Sequence, residues 1–244
     1  MAMTPELAQV WLERWDAQQE RYVADREARF AAIGEVVAQA VPGSPLVLDL
    51  GCGPGSLSVR LARRLPSAEV VGVDVDPLLL ALGTAGYPEI SRLVDADLRA
   101  PGWPAALGLD RKVDAVVSTT ALHYLPKEQL GALYAELAGL LRPGGVLVNA
   151  DNVLEEQPTV ATLAAALRRT RTAEGEDWSG WWRAIEAEPA LADLVAERRR
   201  RLGSHGGDHH LPLRTHRELL WNAGFSEAGT VWQTGDDVIL VAVR

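Results

Sequence analysis

A short glycine-rich turn is the first pattern in this sequence that could do chemistry. The segment DLGCGPG at residues 49–55 follows an apolar run at 46–50 that is typical of a strand buried on both faces. Glycine has no side chain and tolerates positive φ, so a ligand can lie directly against such a turn. A dinucleotide fingerprint would need a third glycine at position 56, where Ser56 stands instead. The turn therefore predicts a ligand site, but not the nicotinamide-binding kind.

Two acidic residues follow the next two strand-like runs. Asp74 ends the run at 69–74, and Asp97 comes shortly after the run at 90–95. Open α/β sheets bind their ligands at the carboxyl ends of the strands, so both carboxylates are candidates for contacting a ligand. Asp74 could instead cap a helix, but Asp76, which directly precedes a proline, fits that role better.

Together, these motifs resemble those of the class I S-adenosylmethionine-dependent methyltransferases. VLDLGCGPG at 47–55 is similar to the first motif of that family, VVSTTALHYLP at 116–126 to its fourth-strand segment, and LLRPGGVLV at 140–148 to its turn into the fifth strand. The similarity covers residues 46–150. It implies S-adenosyl-L-methionine as the cofactor and transfer of its methyl group as the activity.

The resemblance also implies which residues bind the cofactor. They are Asp49, Gly51, Cys52, Gly53, Gly55, Asp74, Val75, Asp97, Leu98 and Thr119. Asp74 would accept hydrogen bonds from both ribose hydroxyls, and Asp97 would accept one from the adenine amino group. Val75 and Leu98 would enclose the purine. Asp49 has two interpretations: contact near the cofactor's amino group, or fixation of the glycine turn through backbone N–H groups.

Methyl transfer from a sulfonium requires in-line approach of the acceptor and no nucleophile from the enzyme. An oxygen acceptor would also need a base, for which His123 is the candidate; the alternative is a neutral imidazole that shapes the pocket. The residues expected to bind a small-molecule acceptor are Tyr22, Arg26, Tyr124, Trp178, Trp182 and His210. Whether the acceptor atom is oxygen, nitrogen, sulfur or carbon stays open.

Alternating strand and helix patterns position these residues and predict a Rossmann-like, doubly wound α/β fold. Turn residues at 234–237 join the last two strands as a hairpin, so we expect seven strands with the last antiparallel. The predicted segments are a helical lid or packing segment at 1–40, a cofactor-binding core at 41–150, a helical insertion after the fifth strand at 151–213 that caps the acceptor side, and a final helix and hairpin at 214–244.

Local signals also predict two boundaries. Thr215 and Glu218 have the spacing of a capping box and would open the last helix. A helix from about residue 126 to 141 would end in the RPGG segment at 142–145, and the fifth strand would begin at Gly145.

Two aromatic stripes each have two interpretations. Trp11 and Trp15 lie on one face of the N-terminal helical segment, which either packs on the sheet or covers the cofactor. Trp178, Trp181 and Trp182 form a second stripe in the insertion, which either packs in the core or lines an acceptor pocket.

Four histidines near the end of the insertion raise the question of a metal site: His205, His209, His210 and His216. His205 and His209 would share a face only on a helix, and the glycines at 206 and 207 disfavour one. We therefore expect no metal, and a mobile loop in which His209 or His210 contacts substrate.

Composition excludes several other classes. The 244 residues carry a net charge of -9, which opposes broad attraction to nucleic acids or anionic membranes. We interpret the arginine run at 198–201 as a solvated helix end. Consecutive residues of a helix point in different directions, so these arginines cannot form one basic stripe for RNA. Cys52 is the single cysteine and makes no intramolecular disulfide. The first residues lack a secretory pattern, so we expect a cytoplasmic protein of undetermined oligomeric state.

Three alternatives to small-molecule methylation are open. An enzyme of this fold could modify the cofactor or transfer another group from it, and a regulatory protein could bind the cofactor without turnover. An RNA methyltransferase is the weakest alternative and would need a continuous basic path to the site.

Overall fold

The chain, described by a computed structural model over residues 3–202 and 207–244, is organised around one seven-stranded sheet. The strands are β1 (Leu46–Leu50), β2 (Glu69–Asp74), β3 (Arg92–Asp95), β4 (Val113–Thr119), β5 (Leu141–Asn152), β6 (Glu227–Thr234) and β7 (Asp237–Val243). Their order is β3-β2-β1-β4-β5-β7-β6, and β7 runs antiparallel to both neighbours. The predicted doubly wound sheet with an antiparallel last strand is confirmed.

Helices cover both faces of this sheet. They are α1 (Pro5–Gln19), α2 (Arg26–Ala40), α3 (Ser56–Arg64), α4 (Pro77–Gly86), α5 (Lys127–Leu140), α6 (Pro158–Arg169), α7 (Trp178–Glu186), α8 (Ala192–Leu202) and α9 (Leu213–Asn222). None of these helices is long and apolar enough to cross a lipid bilayer.

The central strand β1 shows why the helices divide between two faces. All five of its residues are buried, as expected for a parallel strand covered on both sides. Val47 belongs to the core that contains Ile33 of α2, whereas Leu48 belongs to the core that contains Leu133 of α5. Successive side chains of a strand point to opposite faces, so one strand serves two cores.

A third apolar cluster joins the N-terminal helix to the insertion. Trp11 and Trp15 of α1 pack edge-to-face against Trp181 of α7, with ring centroids 5.9 and 4.9 Å apart. Trp181 is fully buried, whereas Trp178 on the same helix is 38% exposed. The second aromatic stripe therefore combines core packing with exposed aromatic surface.

Two predicted boundaries are wrong. Helix α9 begins at Leu213 after Pro212, so Thr215 lies inside the helix, buried, and is not its cap. Strand β5 begins at Leu141 rather than Gly145, directly after α5. The RPGG segment joins the strand because it pairs with the chain end: Gly144 N–H donates to the Arg244 carbonyl over 2.6 Å, and Arg244 N–H donates to that of Gly145 over 2.9 Å.

Candidate functional site

A cavity of about 720 Å³ lies at the carboxyl ends of β1, β2 and β4, a size typical of small-molecule sites. Eight of the ten residues predicted to bind the cofactor line it, as do all seven predicted for the acceptor and the base. The two that do not are Asp49 and Gly55. The residues singled out by their position at strand ends therefore lie around one space.

The glycine turn forms the floor of this cavity and is fastened to β2. Gly51 and Gly53 have φ values of +64° and +55°, which side chains rarely adopt. The N–H groups of Gly51 and Cys52 both donate to the Val73 carbonyl, over 2.8 and 3.1 Å. Gly53 N–H donates to Asp74 Oδ2 over 2.8 Å. The turn thus presents backbone to the cavity in a fixed conformation.

We expect Gly51→Ala to destabilise the fold more than a matched glycine replacement. A Cβ at Gly51 would overlap the Cβ of Ala121, whereas Gly102, at φ +76°, has nothing within 4 Å. Both replacements incur left-handed strain, so the overlap alone should make Gly51→Ala less stable than Gly102→Ala by about 1–3 kcal/mol. Urea unfolding measures both; equal losses would contradict the close packing of this turn.

Asp49 and Gly55 are the two residues predicted to bind the cofactor that do not line the cavity. Asp49 is fully buried beneath the turn and accepts the Ser58 hydroxyl over 2.6 Å, and burial raises the pKa of its carboxyl to about 7. Gly55 precedes α3 at φ +92°, and a Cβ there would lie 2.6 Å from Ile90 Cδ1. Both residues therefore support the turn from outside the cavity lining.

Asp74 has less hydrogen-bonding capacity than the sequence suggests. Besides Gly53, its carboxylate accepts the N–H groups of Val75 over 2.7 Å and of Asp76 over 2.8 Å. Burial raises its pKa, and these backbone hydrogen bonds oppose the rise. A carboxylate has about four acceptor positions, so one stays available, on Oδ2. In this arrangement one of the two predicted ribose hydroxyls has an acceptor position on Asp74, and the second would have to replace a backbone N–H.

Asp97 is already occupied by a neighbour. Arg99 donates from Nε to Oδ1 and from Nη2 to Oδ2, each over 2.9 Å, and its backbone N–H also reaches Oδ1. The Arg99 hydrogen bond outweighs burial and lowers the pKa of Asp97. By the count used for Asp74, one acceptor position stays available on Asp97 Oδ2, so a ligand amino group would share this carboxylate with Arg99.

His123 is paired with an acid that the sequence analysis missed. It lies in a short 3-10 turn after β4, and Asp151 lies near the end of the adjacent strand β5. His123 Nδ1 is 2.8 and 3.0 Å from the two carboxylate oxygens, and its backbone N–H donates to one of them over 3.3 Å. A carboxylate only accepts, so Nδ1 carries a proton and donates it. The sequence did carry one signal for this pair: Asp151 lies near the end of the predicted fifth strand, which neighbours the strand before His123.

The ionisation of this pair follows from its contacts. Burial alone would lower the pKa of His123, but the hydrogen bond and charge of Asp151 outweigh it and raise the pKa above its ordinary value. Burial would raise the pKa of Asp151, yet His123 lowers it. Both shifts favour an ionised acid beside an imidazole that accepts protons readily.

Arg29 lies below the cavity and was also missed. Its guanidinium is fully buried and donates to Asp237 Oδ1 over 2.6 Å, to the Ala150 carbonyl over 3.1 Å and to the Thr119 hydroxyl. It thereby connects α2 to three strands beneath the predicted base. No local sequence pattern distinguishes it from the other arginines of the chain.

Arg26 lies nearer to the glycine turn than its predicted acceptor role implies. Its Nη2 donates to Asp16 over 3.0 Å, and the same carboxylate oxygen accepts the Ser56 hydroxyl at the start of α3. Burial lowers the pKa of Arg26, with Asp16 opposing. Within the described residues its Nη1 has no hydrogen-bond partner.

Aromatic side chains cluster along one part of the cavity wall, next to the Arg198–Asp76 pair. The Tyr22 hydroxyl accepts the N–H of Trp178 over 2.9 Å, which fastens α7 to the loop between α1 and α2. A smaller cavity of about 490 Å³ adjoins this part of the wall, and Tyr124, Trp178 and Trp182 line both cavities. These residues therefore form an aromatic passage towards His123.

All four arginines at 198–201 form ion pairs with carboxylates. Arg198 is mostly buried, lies 3.7 Å above the Trp182 ring and donates to Asp76 over 2.6 Å, so it is not the solvated end that the sequence suggests. The other three pair with Glu186, Glu197 and Asp95. Across the described ranges, this run offers no unpaired basic stripe for RNA.

The histidines of the insertion separate in space. His210 lies at the acceptor end, where its ring stacks on that of His123 with centroids 4.8 Å apart. His209 is exposed, and its backbone N–H donates to the His123 carbonyl over 2.7 Å. His216 is a core residue that shares a hydrogen bond of 2.9 Å with Tyr134. His205 lies outside the described residues.

Comparisons with known proteins agree with this architecture. A family model described as a methyltransferase domain matches residues 47–145. The chain is 32% identical over 175 residues to the trans-aconitate 2-methyltransferase of Methylobacterium radiotolerans, covering 70% of this chain and 59% of that protein. It is 38% identical over 134 residues to the same enzyme of Azoarcus sp., covering 54% and 49%. Each match spans less than two thirds of the relative.

Solved structures show the same fold. An O-methyltransferase family protein from Burkholderia thailandensis has a TM-score of 0.58 at 18% identity, covering 88% of this chain and 55% of that one. An amino pentose methyltransferase from Micromonospora echinaspora has a TM-score of 0.56 at 21% identity, covering 89% and 90%. With sequence motifs, sheet topology and relatives in agreement, the chain belongs to the class I S-adenosylmethionine-dependent methyltransferases.

Proposed function

We propose that this protein transfers the methyl group of S-adenosyl-L-methionine to a small-molecule acceptor. The observation that carries this proposal is one cavity lined both by the glycine turn with Asp74 and by the His123–Asp151 pair. When bound, the cofactor supplies a methyl group already activated on a sulfonium.

The residues present fit that cofactor. Gly51 and Gly53 bring no side chain into the cavity, and Asp74 Oδ2 keeps one acceptor position for a ribose hydroxyl. Val75 and Leu98 offer apolar wall for the purine, beside Asp97 and its Arg99 partner. We assign Arg26 to the cofactor end, because a buried cation beside the turn suits the carboxylate of the methionine portion.

At the acceptor end, we propose that His123 Nε2 takes the proton of an oxygen acceptor while Asp151 holds the ring through Nδ1. Tyr22, Trp178 and Trp182 would bind the acceptor, with His210 beside the base. Segments 1–40 and 151–213 would cover it, and 41–150 with 214–244 would form the cofactor-binding core.

A small molecule is the acceptor class that the site supports. Aromatic side chains line part of the cavity, and the arginine run of α8 is neutralised by carboxylates. The similar trans-aconitate 2-methyltransferases also carry a small-molecule acceptor in their name. Both points favour a small molecule over RNA.

Replacing Asp74 by alanine should weaken binding of S-adenosylhomocysteine by about 1.5–3 kcal/mol, because a hydrogen bond to a charged group is lost. Asp95→Ala is the matched control: it removes a carboxylate from the end of the next strand, where it pairs with Arg201 and lines no described cavity. Calorimetry measures both affinities. Unchanged affinity of Asp74→Ala would remove that residue from the site.

Turnover is tested with methyl-labelled cofactor and a panel of hydroxyl, amine and thiol compounds. We expect label in the small-molecule fraction and S-adenosylhomocysteine as the second product. A changed mass of the cofactor itself would favour cofactor modification. Binding without transfer to any compound would favour a regulatory role, and label in RNA would contradict the proposed acceptor class.

A further inference from the structure

His123 and His210 each direct ring nitrogen Nδ1 towards an oxygen atom of strand β5. His123 Nδ1 donates to Asp151, and His210 Nδ1 lies 3.0 Å from the Asn152 carbonyl, which also only accepts. Each Nδ1 therefore carries the proton, and each Nε2 of the neutral ring has a free lone pair. The two rings stack at an interplanar angle of 30°.

A carboxylate faces both of these nitrogens. Asp208 Oδ1 is 4.0 Å from His123 Nε2, and Asp208 Oδ2 is 3.8 Å from His210 Nε2. Both distances exceed those of a hydrogen bond. Potential ligand atoms of His123 and His210 lie within 4.8 Å of each other, in a cluster whose third member is Asp151, the acid that holds His123 Nδ1. The Asp208 carboxylate thus lies close to two imidazole lone pairs with no proton fixed between them, an arrangement that a cation stabilises.

We infer that His123, His210 and Asp208 form a binding site for a divalent transition-metal ion such as Zn²⁺. Two imidazoles and one carboxylate are a ligand set that Zn²⁺ favours. Ligand atoms about 2.0–2.2 Å from a tetrahedral ion are about 3.4 Å apart. The Asp208 carboxylate, now 4.0 Å from His123 Nε2 and 3.8 Å from His210 Nε2, would therefore move closer to both rings when the ion binds.

The neighbours of the two histidines support this assignment. Histidines that bind metals commonly donate their other ring N–H to a carboxylate or a backbone carbonyl, which fixes tautomer and orientation. Asp151 does so for His123, and the Asn152 carbonyl does so for His210. Asp151 and Asn152 both lie at the end of β5, so a strand holds one side of the site. His210 and Asp208 come from the segment before α9, which is a loop.

Three protein ligands leave a fourth position of the ion for water or an acceptor. The ion would use the same His123 Nε2 lone pair that accepts a proton in the proposed methyl transfer. Zn²⁺ should therefore inhibit transfer to an oxygen acceptor. This consequence rests on the proposed function, whereas binding of the ion does not.

The site is tested by titrating Zn²⁺ into tag-free, metal-stripped full-length protein in a calorimeter. We expect one ion per chain, and at least tenfold weaker binding in His210→Ala and Asp208→Asn. Asp151→Asn, which removes an orienting partner, should weaken binding by about 10- to 100-fold. His209→Ala is the matched control, because that exposed neighbour does not line the cavity and should bind Zn²⁺ as the wild type does.

Co²⁺ gives an independent readout, since four-coordinate Co²⁺ absorbs visible light strongly. The absorption should appear with wild type and His209→Ala and be absent with His210→Ala. Unfolding midpoints verify that the variants are folded. Equal Zn²⁺ affinity of wild type, His210→Ala and Asp208→Asn would overturn the site, as would an equal loss in His209→Ala.

Inhibition of methyl transfer by Zn²⁺ is measured separately from Zn²⁺ binding. Zn²⁺ should slow methyl transfer by wild type at concentrations that match its binding, and should affect His210→Ala only at concentrations at least tenfold higher. Transfer that is lost with a chelator and restored by Zn²⁺ would overturn inhibition while supporting the site. If no acceptor is methylated, the proposed function fails, and calorimetry with Zn²⁺ still decides the site.

Discussion

Replacing His123 by alanine should lower kcat for an oxygen acceptor by about 10²- to 10⁴-fold, the usual contribution of a positioned base. Binding of S-adenosylhomocysteine should change little, because the contacts proposed for the cofactor come from Asp74 and the glycine turn and not from His123. Steady-state kinetics and calorimetry measure the two effects separately. Equal losses in kcat and cofactor affinity would reassign His123 to binding.

The pH profile separates base catalysis from a structural role. The neutral imidazole is the base, so kcat should rise with pH through the raised pKa of His123 and then level off. In Asp151→Asn the opposing charge is gone, and burial should lower the pKa of His123, which moves the midpoint to lower pH. His209→Ala should leave the midpoint in place. A midpoint that does not move in Asp151→Asn would exclude Asp151 as the positioning residue.

Replacing Arg29 by methionine should reduce the free energy of unfolding by about 3–5 kcal/mol, because it leaves the buried Asp237 carboxylate without its cation. Arg14→Met is the matched control: Arg14 pairs with Glu176 nearer the surface, where such pairs contribute about 0–1 kcal/mol. Urea unfolding measures both. A loss below 1 kcal/mol for Arg29→Met would contradict the role of the buried pair.

Two further measurements identify the cause of that loss. The double variant Arg29→Met with Asp237→Leu should recover most of it, because no unpaired charge is left. Burial already raises the pKa of Asp237 to about 6, and removing Arg29 should raise it further. A folded-state pKa above the unfolded value destabilises while the acid is ionised, so the deficit should shrink as pH falls through that pKa. A deficit independent of pH would point to lost packing instead.

Arg29 also affects how the N-terminal segment can be tested. Deleting residues 1–30 would remove Arg29 together with the proposed lid and would leave Asp237 unpaired. The truncated protein would then lose stability whether or not the segment covers the cofactor. Replacing Tyr22, whose hydroxyl accepts the Trp178 N–H, tests whether the segment covers the cofactor while leaving the Arg29–Asp237 pair intact.

Local patterns in the sequence predict the sheet and the glycine turn because both depend on neighbouring residues. Apolar runs indicate the strands, and the residues directly after them must lie at one edge, which is why Asp74 and His123 reach the same cavity. Asp49 lies inside β1 and not after it, and its side chain bonds Ser58 beneath the turn without lining the cavity.

The remaining features depend on contacts between distant parts of the chain. His123 and Asp151 are 28 positions apart, and Arg29 and Asp237 are 208 positions apart. No spacing rule connects such residues before the strand order is known. His210 is a similar case: glycines nearby argue against a helical metal motif, but the loop brings this histidine to His123 from outside any helix.

The most direct measurement is a crystal structure with S-adenosylhomocysteine bound. A ribose hydroxyl should lie within hydrogen-bond distance of Asp74 Oδ2, the ligand should contact the backbone of the glycine turn, and its sulfur should face the His123 end. A ligand bound elsewhere, with Asp74 and the turn untouched, would contradict the assignment of this cavity to the methyl donor.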